Sequence, residues 1–270
     1  MAVLSVCLET PSVVFGVPLS HLRRHGQMRQ GLPLALTHMV QFLDQHGLSI
    51  SGLFRISGKV KQYQELKKSF NDGAFPEFDM EDIHPLASLL KLFLRELPGG
   101  LIPESHGKQL LNVFRDSKEE ERNQSMRMIL NTLPEEHFNV LSYLLFFLSR
   151  VAAESQQNLM TPANLSIVFG PTIFHVPLSP TMLEEQEHYN TLTLHLLDNI
   201  THLLPNMYPQ TSSSNPADEE VLTNEECVQH LAPTELKSKS PITGRLAQLK
   251  KRLRGFWRTI CSCTNSSDTD

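Results

Sequence analysis

The sequence has few of the residues and motifs that support catalysis by a bound cofactor. Its 270 residues include only four cysteines and one tryptophan, and four cysteines in a chain of this length do not make a disulfide framework. The twelve histidines are scattered, with no pair at metal-ligand spacing beside a carboxylate, so zinc hydrolysis has no support. No serine stands in a glycine-flanked nucleophile elbow. We therefore expect any reaction that this protein promotes to proceed without a metal, cofactor or nucleophile of its own.

The chain also lacks a long apolar run and a phosphate-binding loop. Its most apolar stretch, Val140–Leu148, is too short to span a bilayer. Gly52 and Gly58 are one residue too far apart for a phosphate loop, and Val60 stands where magnesium would need a serine or threonine. No basic segment precedes the apolar residues at the N-terminus, so no secretory signal is predicted. Together these features predict a reduced, cytoplasmic protein.

Charge is distributed unevenly along the chain. The formal net charge is −5, but residues 241–270 contain six Lys or Arg and two Asp. The formal net charge of that end is therefore +4, and that of the rest of the chain is −9. An acidic body argues against nucleic-acid binding, whereas a basic terminus suits an acidic partner or a membrane surface.

Apolar residues recur with helical spacing over most of the chain. This spacing predicts helices at residues 33–46, 59–70, 85–97, 103–114, 118–133, 134–153, 161–168 and 182–204. The segment 134–153 is apolar on nearly all faces, which predicts a helix buried at the centre of the fold. We therefore predict one all-α domain over residues 15–205, after an N-terminal extension at 1–14. Residues 206–240 are rich in Pro, Ser, Thr and charge and predict a disordered linker.

Arg55 stands in an unusual sequence setting. It lies between two large apolar residues in the segment Gly52-Leu-Phe-Arg-Ile-Ser-Gly58, and the flanking glycines permit a tightly shaped backbone. We expect Phe54 and Ile56 to anchor this loop in the core, which would hold Arg55 outward in a fixed pose. Taken alone, the pattern is also typical of an ordinary surface arginine.

Lys91 and Arg95 form a cationic pair on an otherwise apolar helix. They are four residues apart and so share one helix face, where like charges cost about 0.2–0.5 kcal/mol. Glu96 is rotated away from that face and is not expected to neutralise both charges. An anionic partner would explain the pair, although a solvated helix edge gives the same pattern.

Asn164 opens the segment Asn164-Leu-Ser-Ile-Val-Phe-Gly-Pro171, shortly after Thr161 and Pro162. Asparagine early in a helix is commonly a cap, which is the simplest interpretation of this residue alone. Its side-chain amide offers both a donor and an acceptor. It could therefore also bind a backbone group or a nucleotide hydroxyl of a partner.

Taken together, these segments resemble the RhoGAP domain family from Phe15 to about Leu204. The segment 52–58 is similar to the family's arginine-finger loop, 87–98 to its signature helix, and 164–171 to its third signature. The resemblance implies a helical fold with a shallow site for the switch regions of a GTP-bound Rho-family small GTPase. Magnesium and GTP would be carried by that partner.

The resemblance also implies a role for each matching residue. Arg55 would be the catalytic arginine finger, supplied in trans. Lys91 and Arg95 would support the finger loop and contact the partner, and Asn164 and Pro171 would contribute to GTPase binding. The main alternative is a non-catalytic GTPase-binding scaffold on the same fold, although such members typically lose the arginine that this chain keeps. A helical adaptor unrelated to GTPases is a more remote alternative.

The sequence departs from the family pattern at two places. Ser51 stands where the family usually has glutamate, and this change is expected to loosen the attachment of the finger loop. Gly99 and Gly100 stand where a Glu-Pro pair is usual, in a loop that we expect to lie away from the site.

The end of the chain predicts a basic amphipathic helix within residues 241–270. Its apolar residues recur every three or four positions, at Ile242, Leu246, Leu249, Leu253, Phe256, Trp257 and Ile260. Residues 242–260 therefore suit the interface of an anionic membrane, and Cys261 and Cys263 are candidates for an acylation that adds a second anchor. This would place the protein peripherally at a membrane. A helix packed on the acidic body, a solvated tail, and a calmodulin-type or nuclear-import partner share the same pattern.

Overall fold

The computed structural model describes residues 13–175 and 182–204. Within these ranges the chain forms eleven α-helices: α1 Leu19–Arg24, α2 Leu34–Phe42, α3 Val60–Asn71, α4 Ile83–Arg95, α5 Glu104–Asp116, α6 Glu119–Leu130, α7 Glu135–Ala153, α8 Ser155–Asn158, α9 Pro162–Phe174, α10 Met182–Asp198 and α11 Ile200–Leu203. The predicted all-α fold is therefore confirmed.

Several sequence predictions fall on other parts of the chain. The linker at 206–240, the basic helix at 241–270 with Cys261 and Cys263, and most of the N-terminal extension at 1–14 lie outside the described residues. These stay predictions. Within the described ranges, no helix is long and apolar enough to cross a membrane.

The central helix of the fold is α7. Its side chains from Val140 to Ser149 are all buried, as is Val151, which confirms the expectation drawn from its apolar faces. It contacts α1, α8, α9 and α10. Burying one such Leu or Phe side chain contributes about 1.5–3 kcal/mol. This helix is therefore the support against which the surrounding elements are positioned.

A short antiparallel ladder stands among the helices. Met28–Arg29 (β1) pairs with Leu32–Pro33 (β2), and the connecting residues Gln30 and Gly31 have positive φ angles of 52° and 76°. A Cβ atom at Gly31 would overlap the side-chain amide of Asn139 in α7. Strands of two residues show no alternation of apolar and polar positions, so the helical periodicity of the sequence did not reveal them.

Three predicted helices differ from the observed ones by more than a shift of two or three residues. The helix predicted to reach His46 ends at Phe42 and continues as a π-helical turn, Leu43–Gly47. The helix predicted to stop at Val168 runs on through Pro171 to Phe174. The helix predicted over 182–204 divides at Asn199 into α10 and α11. Proline removes only one backbone hydrogen bond, to the carbonyl of Ile167, and the buried side chains of the last turn of α9 hold the helix together beyond it.

Candidate functional site

Residues 52–58, here called the Arg55 loop, are held by one buried aromatic side chain. The ring of Phe54 is fully buried and packs edge-to-face against Phe169, 4.9 Å between ring centroids, and against Phe147 at 5.9 Å. Phe54 has a φ angle of 69°, which is rare for a large residue. The chain accepts this conformation because it turns the ring inward while Arg55, the next residue, stays exposed.

The expectation that Ile56 anchors the loop is wrong, because its side chain is 46% exposed. The backbone N–H groups of Arg55 and Ile56 both donate to the Gly52 carbonyl, each at 2.9 Å. This tight turn folds Ile56 back over Gly52, where a Cβ atom would lie 2.8 Å from the isoleucine Cδ1. Leu53 takes the second anchoring position and is fully buried beside Phe54.

Helix α4 holds the rest of the loop through two hydrogen bonds. The Lys91 Nζ donates to the Phe54 carbonyl at 2.5 Å, and the Gly58 N–H donates to the Ser88 Oγ at 2.9 Å. Gly58 lies directly against the backbone of Pro85 in the first turn of α4, which leaves no room for a side chain. The loop is thus fixed on both sides of Arg55. None of these attachments involves Ser51, and the expected effect of the departure from glutamate at that position stays a prediction.

The two cations of α4 have different surroundings. Lys91 is half-buried, and burial lowers its pKa, with Arg95 as the second cause. Arg95 is exposed. As predicted, Glu96 is turned away from them, because its carboxylate oxygens accept from the Lys67 Nζ at 2.6 and 2.7 Å. The positive charge of Lys91 and Arg95 is therefore not neutralised by Glu96.

Asn164 is not the cap of its helix. The cap of α9 is Thr161, because its Oγ1 accepts from the Asn164 N–H at 3.2 Å. The side chain of Asn164 instead donates to the carbonyl of Leu159 at 2.9 Å. Leu159 has a φ angle of 62° and its side chain is 50% exposed. Asn164 thus lies at the junction between α8 and α9.

The remaining predicted residue, Pro171, lies further along α9. It is half-buried, two helical turns beyond Asn164, and Ile167 lies between them. Residues at this spacing share one helix face, and the Ile167 side chain on that face is 58% exposed. The structure therefore places Arg55, Lys91 and Asn164 around one region and Pro171 toward the far end of α9.

Comparison with known proteins gives the family. A model of the RhoGAP domain matches residues 33–178, more than half of the chain. The chain belongs to the RhoGAP family. Rho GTPase-activating protein 1 from Homo sapiens is 34% identical over 200 residues, which cover 74% of this chain and 45% of that protein. The chain thus spans less than half the length of this relative.

Solved structures of the same family share the fold of this RhoGAP chain. Human Rho GTPase activating protein 15 aligns with a TM-score of 0.67 at 25% sequence identity, over 72% of this chain and 93% of that one. The BH domain of GRAF, the GTPase regulator associated with focal adhesion kinase, aligns with a TM-score of 0.58 at 28% identity, over 63% and 93% of the two chains.

The glycine pair of this RhoGAP chain lies just beyond the end of α4, next to His175 at the end of α9. Gly100 contacts His175, and the ring of His175 hydrogen-bonds the Arg95 carbonyl at 2.5 Å. Gly99 and Gly100 have φ angles of 80° and 79°, and proline, whose ring fixes φ near −65°, cannot adopt the latter. The departure from the family's Glu-Pro pair therefore comes with a different backbone at the end of α4.

One buried residue beside the site was not singled out in the sequence. Asn158, the last residue of α8, is fully buried and makes three side-chain hydrogen bonds, to Leu48, Val151 and Met160. Its main-chain carbonyl accepts from the Gly52 N–H at 2.8 Å. A single asparagine after two glutamines carries no periodic signal. Only its place just before a helix start could have drawn attention to it.

Proposed function

We propose that this RhoGAP domain accelerates GTP hydrolysis by a Rho-family small GTPase in its GTP-bound form. The observation that carries the proposal is the Arg55 loop, which exposes one guanidinium group while buried contacts fix the backbone beside it. GTP, magnesium and the attacking water belong to the GTPase. The domain contributes a charge that the partner lacks.

The chemistry of phosphoryl transfer explains why an arginine is suited to this role. Negative charge develops on the transferring group, and an arginine supplied in trans is worth about 10³–10⁵ in rate for small GTPases of the Ras type. A guanidinium is always charged and donates in a planar fork that matches phosphate oxygens. Arg55 would enter the partner's active site with both properties already in place.

The attachments of the loop support this proposal. A catalytic group held in place before the partner arrives loses little conformational freedom on binding, and a misplacement of about 1 Å can reduce the rate on the order of 10²-fold. Phe54 holds the loop from the core, and Lys91 and Ser88 hold it from α4. These contacts would keep Arg55 in one pose.

The surface around Arg55 is suited to docking a protein. Three apolar side chains, one in the Arg55 loop, one at the junction of α8 and α9 and one in α9, are about half exposed: Ile56, Leu159 and Ile167. Asn164 joins them through the Leu159 carbonyl, and Arg95 adds exposed positive charge. Interfaces combine an apolar centre with polar groups at the rim. We therefore assign this face to the GTPase.

A phosphate-release assay on purified, GTP-loaded small GTPases tests the proposal. We expect catalytic amounts of the protein to raise the hydrolysis rate of at least one Rho-family member by about 10³-fold or more. Tight binding without acceleration would support the scaffold alternative. If the protein neither bound nor accelerated any member of the panel, this result would contradict a role on GTPases.

The roles of Lys91 and Asn164 should differ from that of Arg55. We expect Lys91→Ala and Asn164→Ala to weaken affinity as well as rate, because both side chains hold backbone carbonyls of the docking face. Arg55→Ala should retain most of the affinity, since its partner charge develops only in the transition state. The measurement is a binding titration with the GTPase loaded with a non-hydrolysable GTP analogue.

The control for this titration is Lys61→Ala. Lys61 is a highly exposed residue of α3, paired only with Glu65 one turn away, and such pairs contribute about 0.3–0.5 kcal/mol. This variant should bind like the wild type. Equal losses of affinity for the variants at Arg55, Lys91 and Asn164 would contradict the division of roles.

We further propose that residues 242–260 bind an anionic membrane and that Cys261 and Cys263 add an acyl anchor. Rho-family GTPases are themselves lipid-anchored, so attachment at the membrane would raise the local concentration of the partner. We expect the full chain to co-sediment with liposomes that contain anionic lipid, and a chain ending at Ser240 to stay in solution. Equal sedimentation of the two chains, with an unchanged cellular distribution of a Cys261→Ser, Cys263→Ser variant, would overturn the idea.

A further inference from the structure

The side chain of Asn158 joins three separate segments of the chain. Its Nδ2 donates to the Leu48 carbonyl at 2.7 Å and to the Val151 carbonyl at 2.8 Å. Its Oδ1 accepts from the Met160 N–H at 2.7 Å. Leu48 leads into the Arg55 loop, Val151 belongs to the central helix α7, and Met160 leads into α9. Both donors and the acceptor of the buried amide are satisfied, as a buried polar group requires.

The bond to Met160 controls an unusual backbone conformation. A side-chain oxygen that accepts from the N–H two residues later closes an Asx turn, and the residue enclosed by this turn is Leu159. Leu159 has a φ angle of 62°, which a branched side chain adopts only when its surroundings impose it. The amide of Asn158 therefore holds the left-handed turn between α8 and α9.

The two carbonyls of that turn hold the functional residues. The Asn158 carbonyl accepts from the N–H of Gly52, the first residue of the Arg55 loop, at 2.8 Å. The Leu159 carbonyl accepts from the Asn164 Nδ2 at 2.9 Å. One turn thus contacts the Arg55 loop on one side and Asn164 on the other. If the turn relaxed, both carbonyls would move.

We propose that Asn158 is a positioning residue that sets the place of Arg55 relative to Asn164. The inference rests on the proposed function, since it concerns the rate that Arg55 produces. Asn158 is fully buried and does not itself contact a partner. It acts through the backbone that it holds.

The test uses the full chain with Asn158→Ala and Asn158→Ser. The alanine variant removes all three side-chain bonds, and the maximal stimulated rate per folded molecule should fall on the order of 10²-fold, the scale of a misplacement of about 1 Å. The half-saturating concentration should also rise, as in Asn164→Ala, because the relaxed turn displaces the Leu159 carbonyl that Asn164 holds. The loss of maximal rate is the readout for the displacement of Arg55, which acts in the transition state. The serine variant keeps a hydroxyl that can make part of the network, so its rate should lie between those of alanine and the wild type. If the alanine variant does not fold, the serine variant is compared with the wild type in the same two quantities.

A matched control separates positioning from general loss of stability. Asn123 of α6 bonds Asn199 and His195 through its side-chain amide, and none of these residues holds the Arg55 loop. Asn123→Ala should lower the melting temperature but keep the wild-type rate per folded molecule. An equal loss of rate in Asn123→Ala, or a wild-type rate in folded Asn158 variants, would overturn the inference.

Amide hydrogen exchange gives a second readout that does not need a GTPase. In Asn158→Ala the Gly52 amide should exchange faster than in the wild type. The Gly58 amide, which donates to the Ser88 Oγ, should keep its protection. Unchanged exchange at Gly52 would overturn the positioning role. If the wild type stimulates no GTPase, the proposed function fails, and this exchange experiment still decides whether Asn158 holds the loop.

Discussion

Replacing Arg55 with alanine should lower the stimulated rate of GTP hydrolysis by about 10³-fold or more while the domain stays folded. The guanidinium is exposed and buries no apolar surface in the core. Its loss should therefore change the free energy of unfolding by no more than about 0.5 kcal/mol. The loop backbone is held by Phe54, Lys91 and Gly58, which remain. This variant should therefore lose most of the stimulated rate of GTP hydrolysis while keeping nearly all of its stability.

Arg55→Lys should also lose most of the stimulated rate. A lysine ammonium keeps the charge but offers it as a point, without the planar fork that reaches two oxygens at once. Phosphate release under single-turnover conditions measures the effect, and thermal unfolding checks the fold. Arg24→Ala, which removes another exposed arginine, is the control and should keep the wild-type rate. A near wild-type rate for Arg55→Ala on the preferred GTPase would exclude Arg55 as the catalytic group and favour a scaffold.

The sequence was sufficient to predict the helical fold, and it named Arg55, Lys91 and Asn164 as candidate site residues. Helical periodicity is a property of long segments, and the apolar faces of α7 made its central position predictable. The choice of the three residues depended on unusual charged or polar types in otherwise apolar settings and on the resemblance to a family. These signals lie along the chain and need no knowledge of tertiary contacts.

The predictions from the sequence were wrong where tertiary packing decides the conformation. Ile56 and Phe54 flank Arg55 symmetrically in sequence, so both were expected to point inward. The left-handed backbone at Phe54 breaks that symmetry, and it is imposed by the rings of Phe147 and Phe169 rather than by any neighbour in sequence.

The junction of α8 and α9 was missed for a similar reason. Asn158 gains its importance from bonds to Leu48 and Val151, which are 110 and 7 residues away in sequence. The same applies to the end of α9, which was predicted at Val168 and lies at Phe174. The helix continues because the side chains of its last turn are buried in the core.

The second large effect is expected at Gly58, where alanine should displace the Arg55 loop. A Cβ atom at this position would overlap the backbone of Pro85 and lie 2.6 Å from the carbonyl carbon of His84. Backbone atoms in the first turn of a packed helix cannot move aside as the end of a flexible side chain could. The loop must therefore shift, and it must lose the bond from the Gly58 N–H to the buried Ser88 Oγ.

The expected result for Gly58→Ala is a loss of about 1–3 kcal/mol in the free energy of unfolding, as for other overpacked sites. The stimulated rate should fall on the order of 10²-fold even at temperatures where the variant is folded. Thermal unfolding and phosphate release on the same preparation measure the two effects. The rate loss is the informative one, because it reports where Arg55 lies rather than how much of the protein is folded.

Gly47→Ala is the matched control for this substitution. Gly47 is also buried, but it ends a helical turn, its φ angle is not positive, and a Cβ atom there would meet only side chains at an ordinary 3.6 Å. Alanine in a helix is favoured over glycine by about 0.8–1.0 kcal/mol, so this variant should be as stable as the wild type or slightly more stable, with an unchanged rate. If Gly58→Ala behaved in the same way, the loop would be free to shift without moving Arg55. The contacts to α4 would then not be what holds the arginine in its pose.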